Sequence, residues 1–308
     1  MSLAYVFPGQ GSQSLQMLSD LANEYEEVVS TFKEASDALA YDLWDVVQNG
    51  PEEKLNSTDI TQPAMLASGV AVWRVLEKCN APKPQVLAGH SLGEYTALVC
   101  AGSIQFTDAI KLVAERGHLM QAAVAEGSGA MAAILGMQDE DVIAACKEAA
   151  QGEIVEAVNF NSPGQVVIAG TKSAVERVVK LTKERGAKMA VILPVSVPSH
   201  CALMKPAADQ LAVRLESVTI NTPNIPVINN VDVSIENDAD AIRTALVKQL
   251  YSPVRWVETI EKIKSMGIEQ LVECGPGKVL VGLNKRIDRK MPSQAIFDTA
   301  SVQKYLAD

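Results

Sequence analysis

The sequence predicts a protein of the α/β class, and three observations support this prediction. Short apolar runs at 3–7 and 86–88 are typical of buried strands, and helical periodicity follows each of them. A glycine-rich turn, Gly89-His90-Ser91-Leu92-Gly93, lies where the second strand ends and a helix begins. Between 130 and 193 the elements follow the order β-α-β-β-α-β. We therefore expect a parallel sheet covered by helices, with a smaller layered unit inserted into it.

The elements before residue 127 follow from apolar periodicity and from breakers. Pro8-Gly9 ends the first strand, and Pro82 with Pro84 precedes the second. The helical pattern predicts four helices, over 20–39, 64–76, 92–100 and 107–125.

The middle of the chain has a different character. Here the sequence predicts strands and helices over 130–135, 139–150, 154–159, 165–169, 172–185 and 188–193. This is the order of a ferredoxin-like split βαβ unit. We expect residues 127–197 to form an inserted small subdomain, and residues 1–126 and 198–308 to form the larger core.

After Pro198 the first pattern resumes. It predicts helices over 205–215, 239–250 and 257–266 and a strand at 227–229. A last strand is expected at 270–273, closed by Gly275-Pro276-Gly277.

Composition excludes several classes of function. The 308 residues carry 27 Lys+Arg against 37 Asp+Glu, a net charge of −10, which argues against general nucleic-acid binding. No uncharged apolar run reaches the length of a membrane span, and we identify no signal peptide. The five cysteines are scattered and form no CxxC pair, which favours reduced thiols in a cytoplasmic protein. The three histidines lie far apart, so we expect no metal site.

Ser91 is the candidate nucleophile. A GxSxG pattern alone is weak, because chance supplies one in about a tenth of chains this long. Its place between a strand and a helix is the context that a nucleophile elbow requires, and the Leu92 N–H could donate to an oxyanion. The alternative is a serine that caps a helix in a glycine-rich turn.

A nucleophilic serine needs a base, and the chain offers three histidines. The side chain of His90 should diverge from its neighbour Ser91, and His118 lies within a helix. His200 follows Val197-Pro198-Ser199, where the insert rejoins the core, and is our choice of general base. No acid between 91 and 200 lies at a convincing strand end, so a backbone carbonyl could orient the imidazole.

Five motifs then occur together and in order: Phe7-Pro8-Gly9-Gln10-Gly11-Ser12-Gln13, Gly89-His90-Ser91-Leu92-Gly93-Glu94-Tyr95, Arg116-Gly117, Val197-Pro198-Ser199-His200 and Gly275-Pro276-Gly277-Lys278. In these the chain resembles, over essentially its whole length, the malonyl-CoA:acyl carrier protein transacylases of bacterial type II fatty acid synthesis. The resemblance implies an α/β-hydrolase-like core with a ferredoxin-like insert.

The resemblance also implies roles. Ser91 would take malonyl from malonyl-CoA, and the phosphopantetheine thiol of acyl carrier protein would then accept it, with His200 as base in both steps. The Gln249 backbone carbonyl would steady His200, and the backbone N–H groups of Gln10 and Leu92 would form the oxyanion hole. Arg116 would hold the malonyl carboxylate, although alone it could be a surface arginine. No cofactor is implied beyond these substrates, and neither nucleic acid nor membrane is expected as a partner.

One position departs from a related group. Acyltransferase domains of polyketide synthases that prefer malonyl often carry phenylalanine just before this histidine, where this chain has Ser199. Free-standing bacterial transacylases resemble this chain in having Val-Pro-Ser-His, so we retain malonyl as the expected acyl group.

Two other functions remain open at this point. A thioesterase or esterase could use the same elbow, although a carboxylate clamp at Arg116 has little purpose there. A non-catalytic scaffold could keep the fold, although Ser91, His200 and Arg116 argue against it.

The densest basic stretch could bind a partner. An ordinary solvated helix face is the alternative to a docking patch for acidic acyl carrier protein. The stretch comprises Lys278, Lys285, Arg286, Arg289 and Lys290.

Overall fold

The computed structural model describes residues 2–195 and 197–307. Within these ranges the chain forms nine strands in two sheets. The strands are β1 (Leu3–Phe7), β2 (Val86–Gly89), β3 (Gly129–Leu135), β4 (Val155–Ser162), β5 (Gln165–Thr171), β6 (Met189–Ile192), β7 (Val227–Ile228), β8 (Gln270–Cys274) and β9 (Ser293–Ile296).

Fourteen α-helices accompany the strands in the same part of the chain. They are α1 (Ser19–Glu24), α2 (Glu26–Leu39), α3 (Leu43–Asn49), α4 (Glu52–Leu55), α5 (Thr58–Lys78), α6 (Leu92–Cys100), α7 (Phe106–Ala122), α8 (Asp139–Ala150), α9 (Lys172–Glu184), α10 (Lys205–Glu216), α11 (Ala239–Gln249), α12 (Trp256–Ser265), α13 (Val279–Ile287) and α14 (Thr299–Ala307). None of those described is long and apolar enough to cross a bilayer.

The larger sheet has the order β7-β2-β1-β8-β9, and all of its strand pairs are parallel. All five residues of β1 are buried, as expected for a central strand with helices on both faces. Tyr5 packs into the cluster formed with α2, α5 and α7, whereas its neighbours Ala4 and Val6 pack with α12 and α13 on the other face. The alternation of a strand therefore divides β1 between two apolar layers.

The smaller sheet has the order β4-β5-β3-β6, and all of its strand pairs are antiparallel. Helices α8 and α9 pack on one face of it in a separate apolar cluster. Its edge strand β4 reaches the core, because backbone hydrogen bonds of 3.0 and 2.8 Å join Phe160 and Val158 to Val254. These features confirm the predicted α/β class with a ferredoxin-like unit, while the boundaries at 127 and 197 stay a prediction.

Three predicted elements need correction. The helix expected over 20–39 is two helices, because Tyr25 is extended (φ −128°, ψ 111°). The helix expected over 64–76 begins at Thr58 and contains Pro63, since its buried first turns are polar and escaped the apolar pattern. The strand at 270–273 is not the last, because β9 follows it at the sheet edge with only Ile296 fully buried.

The register of the larger sheet places the turns after β1 and β2 side by side. Phe7 lies opposite Gly89 at the carboxyl ends of β1 and β2. The turns that follow, which contain Gln10 and Ser91, therefore leave the sheet side by side. Ligands of open parallel sheets bind at this edge.

Candidate active site

Ser91 lies at a strained turn between β2 and α6. Its backbone has φ 51° and ψ −109°, a region that non-glycine residues rarely occupy. A Cβ at Gly89 would come within 1.8 Å of the Gly93 carbonyl carbon, and one at Gly93 within 2.0 Å of the Phe7 oxygen. Only glycine fits at both positions, so the GxSxG spacing is a steric requirement of the elbow.

The structure places His200 beside Ser91 although 109 residues separate them. The Ser91 hydroxyl donates to His200 Nε2 over 2.8 Å. His200 is 3% exposed and has φ 68°, which turns its ring toward the serine from the loop after β6. This contact is the hydrogen bond that a nucleophile and its base require.

The end of helix α11 holds the imidazole. His200 Nδ1 lies 2.7 Å from the Gln249 carbonyl oxygen, and the His200 backbone N–H donates to the Leu250 oxygen over 2.9 Å. The last carbonyls of a helix have no intrahelical partner, so they are free to accept these bonds. Because a carbonyl only accepts, Nδ1 carries the proton and Nε2 presents its lone pair to Ser91. The partial negative charge of the helix end also favours the imidazolium that forms during proton transfer.

Burial keeps the His200 imidazole neutral. Loss of solvation, followed by the positive charge of Arg116, lowers the pKa of His200 from 6.5 to about 3. A base with this pKa is unprotonated throughout the neutral range.

This shift gives a testable pH dependence. We expect histidine-labelled NMR spectra to show His200 neutral from about pH 8 to about pH 5, with its signals assigned from a His200→Gln variant. The unfolded chain binds a proton at 6.5 and the folded chain does not, so stability falls as the pH decreases from 6.5 toward 3. A folded-state titration of His200 near 6.5 would contradict the prediction.

Arg116 extends from α7 into the same site and is 1% exposed. Its Nη1 donates to Gln62 Oε1 at 2.8 Å, its Nη2 donates to Gln249 Oε1 at 3.0 Å, and Nη2 lies 3.5 Å from Ser91 Oγ. It forms no ion pair with any residue that the structure describes. A buried guanidinium with no direct ion-pair partner is a ready partner for a carboxylate.

Two backbone N–H groups belong to the turns that line the cavity with Ser91. Leu92 is the first residue of α6, and Gln10 lies in the turn after β1. Neither N–H donates a hydrogen bond to another described residue. A Cβ at Gly9 would come within 2.5 Å of the His90 oxygen, so glycine there lets the Gln10 turn approach the elbow.

These groups line one cavity of about 440 Å³, a volume within the range of small-molecule sites. Gln10, Ser91, Leu92, Arg116 and His200 all face it. Apolar side chains from α7, from the small sheet and from the loop before His200 complete the wall. They are Met120, Met131, Val167, Leu193, Val195 and Val197.

The other histidines and the neighbouring cysteine have different positions. His90 Nε2 bonds to Asn161 Oδ1 at 2.8 Å, away from Ser91, and His118 is exposed on α7. Cys201 is fully buried, and burial raises the pKa of its thiol to about 12, so it is a packed residue. All five cysteines are free.

The five basic residues of the proposed docking patch are exposed on and around α13. None forms an ion pair with a described residue. Arg286 donates to Gln165 Oε1 at the start of β5 over 2.6 Å, so the patch continues onto the small sheet.

Sequence reasoning missed three polar residues that support the site. Asn230 accepts from the Ser91 N–H at 2.6 Å, and Glu94 accepts from Gln249 Nε2 at 2.8 Å. Gln62 holds Arg116, as described above. Gln62 and Glu94 lie within apolar helical stretches, and Asn230 follows the carboxyl end of β7. A polar residue within a buried apolar segment is unusual, and this was the signal in the sequence that could have identified all three.

Comparison with known proteins shows which family the chain matches. Residues 4–297 match the family described as acyl transferase domain. The chain is 64% identical over 299 residues to a malonyl CoA-acyl carrier protein transacylase of Haemophilus influenzae. The aligned region covers 97% of this chain and 96% of that protein. Identity to the Escherichia coli K12 protein of the same name is 57% over 299 residues, with 97% of each chain covered.

Solved structures show the same similarity. One is described as a type II PKS acyl-carrier protein in complex with its malonyl-transacylase, and it matches with a TM-score of 0.99 and 60% identity over 100% of this chain and 99% of that one. An acyl carrier protein S-malonyltransferase from Vibrio cholerae matches with a TM-score of 0.96 and 60% identity, with 99% of each chain covered.

Proposed function

Since the chain belongs to the malonyl CoA-acyl carrier protein transacylases of the acyl transferase domain family, we propose that Ser91, His200 and Arg116 carry its reaction. The enzyme transfers malonyl from malonyl-CoA to acyl carrier protein for fatty acid synthesis. The observation that carries the assignment is the 2.8 Å contact between Ser91 Oγ and His200 Nε2, with the Arg116 guanidinium 3.5 Å from the same oxygen.

In the first half-reaction, Ser91 Oγ attacks the thioester carbonyl of malonyl-CoA while His200 Nε2 takes the hydroxyl proton. The resulting oxyanion is held by the N–H groups of Gln10 and Leu92. The C–S bond then breaks, and the imidazolium returns its proton to the departing CoA thiolate. Malonyl remains on Ser91 as an ester.

In the second half-reaction the phosphopantetheine thiol of acyl carrier protein enters the cavity. His200 Nε2 takes the thiol proton, and the thiolate attacks the malonyl ester. The C–O bond to Ser91 breaks, and the imidazolium gives its proton to the serine oxygen. Malonyl leaves as a new thioester and the enzyme is regenerated, as in a ping-pong mechanism.

Arg116 supplies the selectivity for an acyl group that ends in a carboxylate. Gln62 and Gln249 occupy one N–H on each terminal nitrogen of its guanidinium. The second N–H of Nη2 makes only a long contact of 3.5 Å with Ser91 Oγ, and the second N–H of Nη1 has no partner among the described residues. Those remaining donors suit a carboxylate, which bonds to arginine in bidentate geometry. Acetyl lacks this group, so it gains nothing from the clamp.

The experiment that tests the proposal is intact-mass analysis. On incubation with malonyl-CoA we expect a mass gain of one malonyl group, and on addition of holo acyl carrier protein we expect the adduct to disappear as malonyl-carrier forms. Rapid release of free malonate, at a rate that the acceptor does not change, would instead favour the thioesterase or esterase alternative.

We further propose that acidic acyl carrier protein docks near Lys278, Lys285, Arg286 and Arg289. The support is an exposed, unpaired basic cluster in a chain of net charge −10, next to a subdomain that lines the cavity. Charge reversal at Lys285 and Arg286 should raise the KM for carrier protein about tenfold and leave loading from malonyl-CoA unchanged.

The matched control reverses two exposed lysines on the helices of the small subdomain, Lys147 on α8 and Lys180 on α9. This variant has the same net charge, so it separates local docking from long-range attraction. A KM for carrier protein that rises equally in both variants, or in neither, would refute a local patch.

Two predictions from the sequence stay proposals. We propose that residues 127–197 form a subdomain distinct from the core, which the separate apolar cluster under the small sheet supports. We also propose a cytoplasmic location, because five free thiols suit a reducing compartment.

A further inference from the structure

Glu94 is a buried carboxylate to which the mechanism above gives no task. It lies in the first turn of α6, three residues after Ser91, and is 2% exposed. Its Oε2 accepts hydrogen bonds from the Asn230 backbone N–H at 2.9 Å and from Gln249 Nε2 at 2.8 Å. A carboxyl group this deeply buried costs free energy unless its bonds serve the structure or the site.

The two partners of Glu94 lead to the reacting groups. Asn230 uses its side chain to bind the elbow, through Ser91 N–H and the Gly89 oxygen, each at 2.6 Å. Gln249 uses its backbone oxygen to hold His200 and its side-chain oxygen to hold Arg116.

Glu94 also determines which way the Gln249 amide faces. Gln249 Nε2 donates to two oxygen atoms, Glu94 Oε2 and the Ser91 carbonyl oxygen, the second at 3.1 Å. Its Oε1 must therefore face Arg116, which only donates. If the Gln249 amide were flipped, its NH₂ group would face the Arg116 guanidinium, which also only donates. Its oxygen would then face Glu94 Oε2 and the Ser91 carbonyl oxygen, so the network permits one orientation.

We propose that Glu94 is a positioning residue: by holding the Gln249 amide in this orientation, it places the Arg116 guanidinium for a carboxylated acyl group. The proposal rests on the proposed function, in which Arg116 is the malonyl clamp. Glu94 would thus contribute to acyl selectivity without touching the substrate.

Glu94 Oε2 alone accepts the hydrogen bonds from Asn230 and Gln249, so holding the Gln249 amide does not require a negative charge. Burial raises the pKa of Glu94 to about 7, and a protonated carboxyl still keeps an oxygen that accepts. The amide oxygen of glutamine can occupy the same place, whereas alanine removes the anchor. Glu94→Gln should therefore preserve the orientation of the Gln249 amide, which Glu94→Ala should lose.

The test is a double-mutant cycle in which the measured quantity is the selectivity for malonyl over acetyl. The kcat/KM for enzyme loading is measured with malonyl-CoA and with acetyl-CoA for wild type, E94A, E94Q, Q249A and E94A/Q249A. We expect the malonyl-to-acetyl ratio to fall about tenfold in E94A and in Q249A, because a hydrogen bond to the charged clamp is lost. The double variant should fall no further than either single one, and E94Q should stay within about threefold of wild type.

The ratio is insensitive to misfolding, because an unfolded fraction lowers both rates equally. Glu273→Ala is the matched control. Glu273 is also buried, and it accepts the N–H groups of Leu280 and Val281 at the start of α13. It is not among the hydrogen-bond partners of Arg116 or Gln249. We expect its ratio to equal that of wild type.

Three outcomes would overturn the proposal: a wild-type ratio in E94A, multiplied effects in the double variant, or an E94Q ratio as low as that of E94A. None of them bears on the nucleophile. Failure of the proposed function would show separately, as a malonyl adduct that survives loss of the Ser91 hydroxyl.

Discussion

Replacing Ser91 by alanine should abolish the malonyl-enzyme adduct and lower transfer to acyl carrier protein by about 10⁴-fold or more. The variant keeps the cavity, the clamp and His200, but it has no oxygen to attack the thioester. Its Cβ remains in the strained elbow, so the fold should be retained. The measurement is intact mass after incubation with malonyl-CoA, together with the rate of malonyl-carrier formation.

Ser199→Ala is the matched control, because Ser199 also faces the cavity and lies next to His200 in sequence. Its hydroxyl has only a 3.5 Å contact to the Val197 oxygen and no contact with the base. We expect this variant to form the adduct normally. An adduct that persists in Ser91→Ala would mean that another side chain is the nucleophile.

Replacing Arg116 by alanine should lower kcat/KM for malonyl loading by about 100- to 1000-fold and acetyl loading by less than about tenfold. In the variant the malonyl carboxylate enters a largely apolar cavity without a partner, which is costly. Acetyl carries no such charge and loses only packing. The measurement is the loading rate with each acyl-CoA under the same conditions.

Two further variants distinguish the loss of carboxylate binding by Arg116 from a nonspecific loss of activity. Arg116→Lys keeps the charge but not the planar pair of donors, so its malonyl loading should fall between that of wild type and that of alanine. Arg74→Ala removes a different arginine, one that is partly buried, pairs with Glu34 and stacks over Phe106. It should leave the malonyl-to-acetyl ratio unchanged. Equal loss of both activities in Arg116→Ala would refute the clamp.

Much of the fold was predictable because its signals are local. The core strand β1 and the helices α6 and α8 lie where periodicity predicted them, since their apolar faces and breakers are adjacent in sequence. The edge strand β9 was missed because a half-exposed strand has little apolar pattern. The start of α5 was misplaced because its first residues are polar yet buried by tertiary contacts.

The sequence by itself determined the α/β class, the β-α-β-β-α-β order of the small unit and the elbow around Ser91. The reason is that steric demands on Gly89 and Gly93, like apolar periodicity, act between near neighbours along the chain. It also offered only three histidines from which to choose the base.

Only the tertiary structure decided how distant groups meet. His200 reaches Ser91 across 109 residues, and its orienting partner is a backbone oxygen at the end of α11. Every residue has such an oxygen, so no side-chain pattern can single it out without the helix that leaves it unpaired. The same holds for Glu94, whose significance arises from two hydrogen bonds to segments that folding brings together.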